Sequence, residues 1–325
     1  DALPIAAGRK NEHMPPHKQT IQNNISLLWK DVKKHKWLYV MLIIPIVFVL
    51  IWNYWPMYGV VIAFKDYSPA FGILGSPWVG LKHFERFFAS YFFVDIIVNT
   101  LRLSLYSLLV GVPLPIILAL LFHELNRKWF KSSVQTISYI PNFISVVVVI
   151  GMVQFFFSTQ DGMINMLLQI MGFDAIDFLG SPSWFPHIYV WSGVWQGVGW
   201  GTLIYTAAMS GISPDQYEAA YLDGASRFHC FRHITIPSIM PTIVISTILA
   251  TGSILSVGFE KTFLLQNAAN LATSEVLSTY TYKMGIINGE YSFSAAVGLF
   301  NNVINFIVLF TVKKIEPKTI EFSLW

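Results

Sequence analysis

His229 and His233 stand four residues apart around Cys230, a spacing that puts two imidazoles on one helix face as in many zinc sites. No third ligand stands nearby, so packing or contact with a partner is expected there and no metal. Asp161, Asp174 and Asp177 are near one another in sequence. Without a nucleophile or a base among them they form no acid–base pair for catalysis and are expected to be a solvated face. Binding of ATP would require a glycine-rich loop ending in Gly-Lys, and no Gly-Lys pair occurs in the sequence. Apart from His233 at the edge of one apolar run, His123 and His187 are the histidines within such runs. No catalytic set emerges, so the chain is expected to be no enzyme and to carry no cofactor of its own.

The remaining chemistry is that of binding. Trp191, Trp195, Gln196, Trp200 and Tyr205 fall within one apolar run, and aromatic faces with a few polar groups are a usual way to hold a sugar. Gln196 and, further on, Asn301, Asn302 and Asn305 cost free energy in hydrocarbon unless they meet partners or a water-filled path. One or two of them are expected to line such a path. Arg102 stands seven residues after Asp95, on the same helix face and about 10 Å further along the axis. It either snorkels or pairs with Asp95, or it meets an anionic sugar such as a uronate.

The elements that must carry these residues are membrane helices. Of 325 residues 54% are hydrophobic and 12% charged, about half the charge of an ordinary soluble domain. Six runs free of Asp, Glu, Lys and Arg, 37–64, 103–123, 132–160, 178–214, 233–259 and 291–312, each exceed 18 residues, against the roughly 20 that a helix needs to cross a bilayer. The runs are continuous, unlike the alternating strands of a barrel. An all-α, six-span membrane protein follows. Fifteen Lys and Arg lie in segments of one side, namely 1–36, the 123–133 bend, 210–238 and the tail after Val312, and five on the other. The inside-positive bias therefore puts both termini in the cytoplasm. It also accounts for the net charge of +3 without a nucleic-acid footprint. Residues 1–36 precede the first apolar run, are polar and are expected to be an uncleaved cytoplasmic arm rather than a signal peptide. Cys230, alone of its type, can form no intrachain disulfide.

One inner segment does more than connect spans. Ser213-Pro214-Asp215-Gln216 has an N-cap serine, proline at the first helical position and glutamine three residues after the cap. A short helix is predicted through Leu222, ended by Gly224, with a second short helix from about Ala225 and with Pro237 and Pro241 at the entry to the fifth span. Such an elbow is not needed to join two spans and is expected to touch a partner.

Within it, Glu218-Ala219-Ala220, Gly224, Ile234 and Pro237 reproduce the spacing EAA, three residues, G, nine residues, I-x-L-P, with Ile236 in place of Leu. This resembles the EAA loop of the membrane subunits of binding-protein-dependent ABC importers. The similarity extends to Asn99-Thr100-Leu101, Asp161-Gly162-Met163-Ile164-Asn165 and Tyr291-Ser292-Phe293-Ser294-Ala295-Ala296, and covers about residues 95–312. The resemblance implies a type I importer permease fold (MetI-like), and an arm at 1–36, a first span with outer loop at 37–94, the permease core at 95–312 with its coupling loop at 210–238, and a cytoplasmic tail at 313–325. It implies placement in a bacterial inner membrane. The partners it implies are ABC ATPase subunits that bind ATP and Mg, a second and non-identical permease subunit, an extracytoplasmic solute-binding protein and the lipid bilayer. Tyr217, Glu218, Ala219, Ala220, Asp223 and Gly224 would engage the ATPase, the small alanines permitting close approach. The sequence looks most like the sugar-uptake branch, above all the alginate and oligosaccharide importers. The alternative is an ion-coupled secondary transporter, which would use acidic residues or broken helices near the membrane midplane; all six runs lack Asp and Glu.

Overall fold

The computed structural model describes residues 33–252 and 254–315. Most of the expected arm and the end of the tail lie outside the described residues. The chain divides into two compact units, Asp1–Val60 and Val61–Trp325. The helix α1, Lys36–Phe64, is 29 residues long and has a mean hydropathy of 2.1. A π-helical turn, Leu50–Tyr54, precedes Pro56 within it. The wider turn gives the proline ring room against the carbonyl four residues back.

The second unit is a bundle arranged on one central helix. Its elements are α2, Phe93–Glu124; α3, Lys128–Tyr139; α4, Val146–Phe156; α5, Phe185–Ser210; α6, Pro214–Leu222; α7, Arg227–Thr251; α8, Phe259–Leu265; and α9, Tyr291–Ile315. The second, fifth and sixth expected spans are α2, α7 and α9, each long and apolar enough to cross a bilayer. The helix α5 has 26 residues, enough length for a crossing, but is less apolar because it is wrapped by protein. Its own Phe185, Ile188 and Val190 cluster with Leu103, Ile150, Val153 and Val257 along its first half, and its Met209 with Ala119 and Ile239 at its last turns.

Two expectations are corrected. The third apolar run is not one straight span: α3 and α4 are bent by 98° at a break after Phe143. Pro141 cannot continue a helix, and Ser145 starts the next one, its hydroxyl accepting from the Val148 N–H at 3.4 Å. Secondly, the elbow holds one short helix, not two. Ser226 caps a helix that runs unbroken from Arg227 into α7. A π turn at Phe231–Thr235 accommodates Pro237, as the turn in α1 does for Pro56.

The other motif residues brace the end of the bundle away from α6. Asn99 donates to the carbonyls of Ala272 and Glu275, and Thr100 accepts from the Leu277 N–H. Asn165 donates to Ser158 O and Ile176 O while its own oxygen accepts from Ile176 N–H. Ser294 donates to Thr281 O. Buried amide groups must be paired, and these side chains pair the irregular backbone between spans. Arg86 and Glu290 add an ion pair at 2.8 Å.

Candidate functional site: a glycine-lined cavity and a coupling helix

The helix α6 is a built feature of the inner end. Ser213 accepts from the Asp215 N–H at 3.3 Å, and Pro214 occupies the first turn. At the other end Gly224 adopts φ +80°. The Ala225 N–H then bonds Ala220 O at 2.9 Å and the Gly224 N–H bonds Tyr221 O at 3.1 Å, the paired closure that a left-handed glycine makes possible. Tyr217 is turned inward. Its hydroxyl lies 3.0 Å from Thr235 Oγ1 on α7, and its ring lies beside His123 at the end of α2. The contact area expected of Tyr217 is therefore spent inside the chain, where it fixes α6 to two spans. Glu218, Ala219 and Asp223 are exposed, Ala220 is half-buried, and Gly224 is in the exposed turn. Tyr221, 51% exposed, is free to supply contact area, and the sequence reading missed the rest of the apolar tip: Leu222 is 89% exposed and Phe228 69%. A leucine at the last position of a capped helix, beside a polar turn, was the available signal. Behind α6 lies a cavity of about 510 Å³ lined by His123, Glu124, Tyr217, Glu218 and Arg227 among others.

Further along the bundle, α5 carries Gly193, Gly197 and Gly201 at four-residue intervals. They line a cavity of about 400 Å³ together with Ser107, Pro115, Tyr189, Gln196 and Lys261. A second cavity of about 290 Å³ shares Ser107, Gly111 and Tyr189 with it and continues toward Ser256 and Gly258. Ligand sites are usually clefts of roughly 300–1,000 Å³. Sequence reasoning missed both: the four-residue glycine interval was the available signal for the cavity wall, and nothing local marks Lys261. In the structure α8 turns it inward. Its ammonium donates to Tyr189 O and lies 4.7 Å over the Tyr189 ring. Burial pulls its pKa down to about 8.

The expected pathway residues divide. Gln196 lines the cavity and its amide donates to Ile144 O at 2.8 Å, holding the break between α3 and α4 against α5. Trp191 and Trp195 line a separate, strongly apolar cleft of about 370 Å³ with Met152, Phe156 and His187. Trp191 Nε1 donates to Tyr106 Oη, which in turn lies 3.0 Å from His187 Nδ1. Trp200 packs edge-on to Phe143. The asparagines of α9 lie apart from the cavities described above. Asn305 accepts from Leu255 N–H and donates to Ser256 Oγ, so it pins the loop after α7, and Asn301 Oδ1 accepts from Asn305 Nδ2 at 3.4 Å. Asn302 is exposed. Arg102 is also exposed, outside these cavities, and makes no ion pair with Asp95 among the described residues.

Comparison with known proteins agrees with this geometry. The sequence profile of the binding-protein-dependent transport system inner membrane component family matches residues 111–321. Protein LplB of Bacillus subtilis is 42% identical over 88% of this chain and 90% of its own length. The polygalacturonan/rhamnogalacturonan transport system permease protein YteP of the same organism is 41% identical over 88% and 89%. Among solved structures, a bacterial ABC transporter involved in the import of the acidic polysaccharide alginate superposes with a TM-score of 0.83 at 40% identity, covering 90% of this chain and 99% of that one. A second structure of a bacterial alginate ABC transporter, in complex with an alginate pentasaccharide-bound periplasmic protein, gives 0.83 at 39% identity, covering 91% and 99%.

Proposed function

The chain belongs to the binding-protein-dependent transport system inner membrane components, and we propose that it is one of two non-identical membrane halves of an ATP-driven importer of acidic oligosaccharides. It is a multi-span membrane subunit of a sugar importer. The chain moves its substrate by alternating access and performs no chemistry on it. ATP and Mg are bound by separate ATPase subunits, and an extracytoplasmic binding protein delivers the sugar. Both termini face the cytoplasm, as the charge bias of the loops requires.

The observation that carries the coupling role is α6: a helix closed at both ends, pinned to α2 and α7 through Tyr217, that presents Leu222, Tyr221 and Phe228 outward. A free apolar tip on a braced helix favours a partner groove over solvent. Glu218 and Asp223 offer carboxylates to basic groups around that groove. The acidic substrate class is supported by the two close relatives of which one is named for a polygalacturonan and the other for alginate.

The test is reconstitution of the complete importer in liposomes, with ATP turnover measured as acidic oligosaccharide-loaded binding protein is added. Stimulation that is lost in Glu218→Lys, with assembly in the membrane intact, supports the reading. Uptake that persists without any ATPase subunit refutes it.

A further inference from the structure

Lys261 differs from the other cations of the second unit. Lys82 pairs with Asp66, Arg86 with Glu290 and Lys283 with Glu275. Lys65 donates to the carbonyls of Ile73 and Leu74 near the surface. Lys261 is carried inward by α8, and among the described residues no carboxylate lies within ion-pair distance of it. Its hydrogen bond goes to a neutral backbone oxygen, Tyr189 O, which Ser192 Oγ also approaches at 3.2 Å. An ammonium half-withdrawn from water without a counter-charge is costly, and a negative charge arriving from outside would offset that cost.

The surroundings are shaped for such an arrival. A Cβ on residue 193 would sit 2.7 Å from Lys261 Nζ, so glycine at that position makes the room the ammonium occupies. Gly197, the next glycine on the same face, has nothing within 4 Å of an added Cβ and opens onto the cavity. Nζ carries three donors. One is used on Tyr189 O, the Tyr189 ring takes part of the charge, and Lys261 and Tyr189 both line the cavity. The remaining lining is small or uncharged: Ser107, Gly111, Pro115, Gln196 and the glycines.

We infer that Lys261 is the charge-reading residue of the translocation cavity, where its ammonium receives a carboxylate of a uronic-acid unit while Gln196 and Ser107 supply uncharged hydrogen bonds to the ring hydroxyls. This rests on the importer reading and assigns specificity for acidic over neutral sugars to the membrane subunit itself, in addition to any selection by the binding protein. The site takes a single carboxylate, since one cation is present, and a second sugar unit lies along the glycine stripe.

The experiment uses the full complex in lipid nanodiscs without its binding protein, titrated with trigalacturonate and with the fully methyl-esterified trisaccharide, which has the same rings and linkages and no negative charge. Losing a hydrogen bond to a charged group weakens binding by about 10- to 100-fold. Lys261→Gln is expected to weaken trigalacturonate by that factor and leave the ester unchanged, and Lys261→Arg to recover most of the loss. Removal of a half-buried cation that has no carboxylate partner among the described residues is expected to leave the melting temperature equal or higher, which separates loss of recognition from loss of fold. Trigalacturonate bound as tightly by Lys261→Gln as by the wild type, or both probes weakened alike, overturns the role of Lys261 alone. A wild-type complex that binds the ester as tightly as the acid, or binds neither, overturns the acidic-substrate reading with it.

Discussion

Replacing Leu222 by Asp separates docking from folding. Leu222 is 89% exposed at the end of α6, so nothing on this chain gains from its side chain. A substitution at such a position changes the stability of the chain itself by about 0.5 kcal/mol or less. Fully burying a leucine in a partner is worth about 1.5–3 kcal/mol, and every 1.4 kcal/mol is a factor of about ten in affinity. The loss on docking is therefore about 10- to 100-fold, and more when a carboxylate must be desolvated in the apolar groove. The assay has two readings on the same preparation: melting temperature of the purified membrane subunits, and binding-protein-stimulated ATP turnover as the ATPase subunit is titrated. The expected result is an unchanged melting temperature with a titration midpoint shifted upward by at least tenfold. An unshifted midpoint refutes the docking argument, and a melting temperature that falls with it shows that Leu222 is buried against the chain's own elements.

Tyr217→Phe removes the hydroxyl that bonds Thr235 at 3.0 Å; a net loss of about 1 kcal/mol is expected to leave ATPase binding nearly intact while lowering the transport produced per ATP, measured as the ratio of sugar uptake to phosphate release. Gly199→Ala places a Cβ 1.9 Å from Ser138 O, so α3 must move off α5; a destabilisation of about 1–3 kcal/mol should appear as a lower melting temperature, and an unchanged one would contradict the packing. The low pKa of Lys261, about 8 through burial, means that the folded state releases its proton before the unfolded chain does. The unfolded chain thus binds more protons between about pH 8 and the ordinary lysine value near 10.4, and stability rises with pH across that window. The slope is expected to vanish in Lys261→Met, read from melting temperatures over the same range.

Much of this architecture was written in the chain because membrane helices obey simple rules. Runs without charge gave the crossings, and Ser213, Pro214 and Gly224 gave both ends of α6, since caps and left-handed glycines are set by the local chain. The break at Phe143 was less visible: Pro141 and Ser145 sit inside a run whose apolarity is unbroken, and composition is blind to a 98° turn. The contacts of polar residues in apolar runs were hidden for a related reason. Asn305 satisfies the backbone of a loop 50 residues away, a use that no local pattern records. Arg102 drew notice because it borders an apolar run, and Lys261 drew none because it stands outside the runs. Only the return of α8 against α5 reverses their surroundings.

The helix α5 joins the two parts of the site mechanically. Its glycine face borders the cavity from Gly193 to Gly201, and only Gly211, Ile212 and Ser213 separate its last residue, Ser210, from Pro214 of α6. That short link is itself held, because Ile212 packs with Ala119, Tyr205, Met209 and Ile239. A helix of 26 residues is about 39 Å long, and close packing along it resists bending. A displacement of α6 by a partner must then tilt α5 or break the Ile212 and Tyr217 contacts. Tilting changes the width of a cavity whose wall on that side consists of glycines, where a small shift of backbone is not buffered by flexible side chains. Gly193 is the most sensitive point of that wall, since the space it leaves is the space that Lys261 fills.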